Sequence, residues 1–177
     1  MRGEPTRPRP CGRRYRFLLL SALFPALPVA LLSAQTASPA KVVASVGRVF
    51  GAAARVDSVR VDTGVVLRIS RADTLLGFAV VRNVTGKDQS ITFLVAVDTV
   101  DRLKDVDVLV YREPYGGEVA YEPWRRQFRG KTATDPLQVG KEIRSISGAT
   151  ISVNAVTAGV RQALADLTEW HRDGRLR

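Results

Sequence analysis

From Pro39 to about Ala54, "PAKVVASVGRVFGAAA" places Val42, Val46, Val49 and Phe50 at helical spacing. Pro39 suits the first turn of such a helix, where its missing N–H costs nothing. The period then changes. In "VVLRIS" (65–70), Val65, Leu67 and Ile69 share one face of a strand while Arg68 and Ser70 share the other. "TLLGFAVVRNV" (74–84) and "ITFLVAV" (91–97) are nearly unbroken apolar runs, the pattern of strands covered on both faces. "VDVLVYR" (106–112) alternates again. The links at 71–73, 85–88 and 98–104 are short, and a parallel neighbour would need a crossover of about a dozen residues, so these strands should run antiparallel.

"YREPYGGEVAYEPWRRQFRGKT" follows, with a loop centred on Pro114-Tyr115-Gly116-Gly117 and then a short helix carrying Trp124 and Phe128 as an i,i+4 pair. The last element is a helix. Ile151, Ala155, Val156, Val160, Ala163, Leu164 and Leu167 make one stripe, and Arg161, Asp166 and Glu169 lie largely off it. These signals predict an α+β fold: an antiparallel sheet of about four or more strands flanked by N- and C-terminal helices.

The 177 residues suit one ordinary domain with a small appendage, and 45% hydrophobic with 25% charged residues is a globular composition. A net charge of +10 suggests nucleic acid until its distribution is read. Residues 1–34 hold six arginines against Glu4, which is half of that charge; the other half is interspersed with acids. There is no basic stripe with interleaved aromatics, which speaks against nucleic-acid binding. The arginine-rich start is followed by the uncharged "FLLLSALFPALPVALLSA" (17–34), the layout of a signal peptide or an N-terminal membrane anchor over 1–34. In either case the rest of the chain is expected outside the cytoplasm.

Cys11 and His171 are the only residues of their kinds, so disulfides, iron–sulfur clusters, zinc sites and Ser-His-Asp triads have no material. The remaining candidate is Ser147-Gly148-Ala149-Thr150, just before the last helix. A helix start offers unpaired N–H groups and positive dipole to an anion, small residues let a ligand approach, and Thr150 adds a hydroxyl. The same residues also read as a simple turn, with Ser147 or Ser152 as helix cap. Without a base beside it, Thr150 is better suited to being modified by another enzyme than to attacking a substrate itself.

"EIRSISGATIS" resembles the FMN-binding domain family, which includes the flavin subunits of sodium-translocating and Rnf-type electron-transfer complexes. "GFAVVRNVTGKDQSITFLVAVD" is similar to that family's central sheet, and "YREPYGGEVAYEPWRRQFRGK" to its Glu–Pro–Gly loop and following helix. The resemblance implies an FMN-binding domain over 35–177. It implies FMN carried on Thr150 through a phosphodiester, installed outside the cytoplasm by a flavin transferase that uses FAD and magnesium. Ser147, Gly148 and Ala149 would complete the motif, and Glu113, Gly116 and Gly117 would lie beside the flavin ring. Glu113 has an equal reading as a loop anchor. Of the cations Arg125, Arg126, Arg129 and Lys131, at least two are expected on a solvated face, and one, Lys131, is the expected counter-charge for the phosphodiester. Gly130-Lys131-Thr132 does not end a P-loop, because Arg125 stands where glycine is required. Arg144 occupies the position where many members have aspartate.

Two functions follow from the resemblance. One is an exported FMN carrier passing electrons between membrane-bound or exported redox proteins, with no catalytic residues of its own and no resident metal. The other is a non-redox envelope adaptor or regulatory module of the same fold that has lost its flavin. Trp124, Phe128 and Trp170 are expected in the core.

Overall fold

The computed structural model of the chain describes residues 37–62 and 64–176. The segment 1–34, with its signal or anchor reading and Cys11, lies outside them. Helix α1 spans Pro39–Phe50, with Ser38 as its N-cap, Pro39 in the first turn, and Gly51 (φ 97°) closing it. Gly51 ends the helix four residues before the sequence pattern suggested. The chain then forms strand β1 (Arg55–Val61), which the pattern did not announce. β2 (Gly64–Arg71), β3 (Thr74–Thr85), β4 (Ser90–Val97) and β5 (Leu103–Val110) follow. All five pair antiparallel in chain order. The short α2 (Glu122–Arg125) continues as a 3-10 turn over Arg126–Phe128, and the long α3 spans Thr150–Arg172. This is the expected α+β fold, its sheet of five strands adding β1 to the four that the pattern signalled.

Alternation along β4 explains the apolar runs. Ile91, Phe93, Val95 and Val97 join a cluster with Val153, Val156, Val160, Leu164 and Leu167 of α3. Leu94 and Ala96 join Val46 and Phe50 of α1. The central strands are thus covered on both faces, as their composition suggests. β2 is similar: Ile69 faces the α1 cluster and Val66 the α3 cluster, so its second face is not simply solvated. Trp124, Phe128 and Trp170 belong to the α3-side core, and the first two meet edge-on at 5.2 Å. Each such aromatic contributes about 1.5–3 kcal/mol by burial alone.

One buried acid, Asp107 on β5, faces α1. It accepts from Ser45 Oγ at 2.6 Å, pairs with Arg48, and has Arg125 Nη1 at 3.5 Å. Three partners from two helices compensate a carboxylate that would otherwise be costly to bury.

Candidate functional site

The turn before α3 uses its glycine for a specific reason. Ala149 N–H donates to the Ile146 carbonyl at 3.0 Å, and Gly148 between them has φ 79°. Positive φ at that place in a four-residue turn is the mark of type II, where glycine avoids a Cβ penalty. Ala149 is buried and stands at the N-cap, so no side chain caps α3, and its first turn contains no acidic residue. The first intrahelical bond runs from Val153 N–H to the Ala149 carbonyl. The N–H groups of Thr150, Ile151 and Ser152 therefore begin the helix without intrahelical acceptors. Neither expected cap is used: Ser147 is exposed, and Ser152 is buried at 3.0 Å from the Tyr111 hydroxyl.

A second segment packs against this helix start. Tyr111 OH donates to the Tyr115 carbonyl at 2.5 Å and shares a hydrogen bond with Ser152. Burial, the largest influence, pushes the Tyr111 phenol above its ordinary value of 10.0. Gly116 has φ 84°, and a Cβ there would meet Tyr111 OH at 2.8 Å, Ser152 Oγ at 3.0 Å and the Ala149 methyl at 3.2 Å. Only glycine lets this loop close on α3. A Cβ on Gly117 would meet the Tyr111 ring only at ordinary van der Waals distance, 3.8 Å.

The third segment is the turn between β3 and β4. Glu113 Oε1 accepts from the Asp88 N–H at 2.8 Å and the Gln89 N–H at 2.9 Å. A Cβ on Gly86 would come within 2.4 Å of that same oxygen. Glu113 is thus a loop anchor, one of its two expected roles. The Gln89 and Asp88 amides hold its carboxyl below the ordinary value of 4.5. A depressed pKa means the clamp is intact above 4.5 and is lost as pH falls through the lower folded value. An NMR titration of the Asp88 and Gln89 amide shifts should give a midpoint below 4.5; a midpoint at or above it would remove the clamp from the account.

These three segments enclose a cavity of about 280 Å³, lined by Lys87 and Asp88, by Glu113, Pro114 and Tyr115, and by residues 148–152. Tyr115 is 80% exposed and Ile151 is 51% exposed, so two large apolar groups stand at its walls with part of their surface in water. The core stripe predicted for α3 included Ile151; the helix instead turns that side chain out to the cavity.

Of the residues expected from the sequence, Thr150, Gly148, Ala149 and Glu113 line this cavity. Gly116 lies against Ala149 and Ser152, Gly117 against Tyr111, and Ser147 is exposed in the adjoining turn. Lys131 is placed elsewhere: its ammonium is 3.6 Å from Asp135, and its carbonyl accepts from Leu103 N–H. Lys87, Asp88, Pro114, Tyr115 and Ser152 were not anticipated. Tyr115 was within sight, inside the Pro-Tyr-Gly-Gly loop; Lys87 had no signal beyond a turn. Arg144 has its backbone held on both sides, by Trp124 Nε1 at 2.8 Å and Gln127 Oε1 at 2.9 Å, and is itself exposed.

An uncapped helix start, a cation and two exposed apolar side chains thus meet at one cavity of an α+β domain. Residues 86–165 match the family model described as FMN-binding domain. The match begins at the Gly86 turn and includes the Glu113 loop, Thr150 and most of α3. A search of curated proteins returned no match. The residues present fit FMN: amide donors and Lys87 suit its phosphate, and Pro114, Tyr115 and Ile151 offer surface to its ring.

Proposed function

We propose that this chain is an exported, FMN-carrying electron-transfer protein whose FMN is joined to Thr150 by a phosphodiester bond. The observation that carries the reading is the meeting of Thr150, at the uncapped start of α3, with the Glu113–Tyr115 loop in one cavity within the family-matched segment. Bound FMN supplies one- or two-electron chemistry. The chain's own groups bind and shelter it. Amides at the start of α3 receive phosphate oxygens, a contribution of roughly 0.3–1 kcal/mol from the dipole alone. Tyr115 and Ile151 cover apolar surface. The cavity is smaller than the ~300–1,000 Å³ pockets that engulf drug-sized ligands, so a ligand of FMN's size keeps one side toward solvent and a redox partner.

Attachment is a group transfer from FAD. Thr150 Oγ bonds to the phosphorus of the FMN half, the P–O bond of the pyrophosphate breaks, AMP leaves, and the hydroxyl proton passes to a base. That base comes from the flavin transferase. The chain's one histidine, His171, sits near the far end of α3, roughly 30 Å along the helix at 1.5 Å per residue, and is bound to Asp101 at 2.8 Å. The arginine-rich 1–16 followed by the uncharged 17–34 supports export, by cleaved signal or retained anchor, to membrane-bound or exported redox partners.

The test is co-expression with a flavin transferase, followed by intact mass and absorbance. The expected product is yellow and heavier by FMN less one water, with the adduct on the peptide spanning Ser145 to Arg161. A colourless chain of unmodified mass overturns the reading and leaves the adaptor module in its place.

A further inference from the structure

We propose that Lys87 neutralises the phosphate in this site, and that Glu113 is the positioning residue that holds Lys87 there. The inference rests on the flavin reading above and deepens it. Lys87 is the one cation among the residues lining the cavity, which it shares with Thr150 and the first turn of α3. Its side chain makes no ion pair within 4 Å of a described residue, although its charge helps to hold the nearby Glu113 carboxyl low, whereas Lys131, the cation expected from the sequence, lies 3.6 Å from Asp135.

Lys87 comes from a turn far away in sequence, and the structure explains how that turn is brought to the site. Gly86 N–H donates to the Gln89 carbonyl at 2.9 Å, closing the turn on itself. Glu113 then accepts the next two amides, Asp88 and Gln89, through a single carboxylate oxygen. Gly86 must lack a Cβ for that oxygen to fit. Glu113 is held in turn on the loop that Gly116 seats against Ala149 and Ser152. The chain of contacts therefore runs from α3 through the loop to the turn that carries Lys87.

The electrostatics make the lysine necessary. Asp88 and Glu113 also line the cavity, so without Lys87 a phosphate there would face two carboxylates and no cation. Like charges in a partly enclosed site oppose binding much more than in open water.

The test uses the full chain purified without a flavin transferase, titrated with FMN and, separately, with riboflavin, which lacks the phosphate. Lys87→Met should weaken FMN binding about tenfold, the size of one charge-assisted contact, and leave riboflavin binding within about twofold of the parent. Lys87→Arg should restore FMN affinity. Glu113→Ala frees the turn but also removes one opposing carboxylate, so it should give an FMN-selective loss smaller than that of Lys87→Met. Lys87→Met added to it should cost less than it does in the parent, because Lys87 is no longer held in place. Equal weakening of FMN and riboflavin by Lys87→Met, or no weakening in a parent that binds FMN, overturns the assignment. A parent chain that binds neither flavin overturns the flavin reading itself.

Discussion

Thr150→Val, co-expressed with a flavin transferase, should yield a chain of unmodified mass, and Thr150→Ser a chain that still carries the adduct. Valine keeps the branched shape and removes only the hydroxyl. Thr150 is exposed at the first position of α3, and no side chain caps the helix. The substitution should therefore change stability by no more than about 0.5 kcal/mol. The backbone amides at the start of α3, proposed to receive the phosphate, survive the substitution, so Thr150→Val should still bind free FMN reversibly. Intact mass before and after denaturing removal of free flavin separates the two populations. Loss of reversible binding along with the adduct would mean that the hydroxyl, not the helix start, is the principal phosphate contact. An adduct that persists in the valine chain would move the attachment to another residue, with Ser147 the nearest exposed hydroxyl in the motif.

What the sequence disclosed and what it concealed divide along a physical line. β4 and the centre of β3 are legible because both faces are buried there, so the positions are nearly all apolar. β1 was missed because it is an edge strand with no fully buried residue, and "RVDSVRV" shows only a partial alternation. Gly51 ended α1 by adopting φ 97°, although the alanines beyond it favoured continuation. At the site, Thr150, Gly148 and Ala149 could be read because a motif is local. Ile151 could not be assigned from periodicity, since an apolar side chain at a ligand cavity obeys the same spacing as one in the core. Lys87 and Lys131 illustrate the same limit. Each is a lysine next to a glycine, and only Lys87, in the turn that Glu113 clamps from 24 and 25 residues away, lines the cavity that holds Thr150. Charge near a motif in sequence is a weak guide to charge near it in space.

The same contact logic predicts the largest loss of stability at a residue far from the ligand. Gly77, in β3, has φ 149°, and a Cβ there would sit 2.0 Å from the Val97 carbonyl oxygen and 3.0 Å from Asp98 Cα. Both obstacles are backbone of the adjoining strand end, so no rotamer change relieves them. Gly77 pairs with Ile69 beside the irregularity in the β2–β3 register, and its neighbour Phe78 pairs with Val97. Gly77→Ala must therefore push β4 away from β3 or strain its own backbone, at a cost of about 3 kcal/mol or more, combining a positive-φ penalty with overpacking. Gly130→Ala is the matched control: φ is 77°, and nothing lies within 4 Å of the added methyl. It should cost only the conformational penalty of about 1–2 kcal/mol. Urea unfolding should show the Gly77 variant losing at least about 1 kcal/mol more than the Gly130 variant, with similar m-values. Because β3 and β4 lead into and out of the turn that carries Lys87, the Gly77 variant should also bind FMN more weakly under conditions where it remains folded. Equal stability losses at the two glycines would show that β4 yields freely at Val97, and would remove the rigid β3–β4 pairing on which the placement of that turn depends.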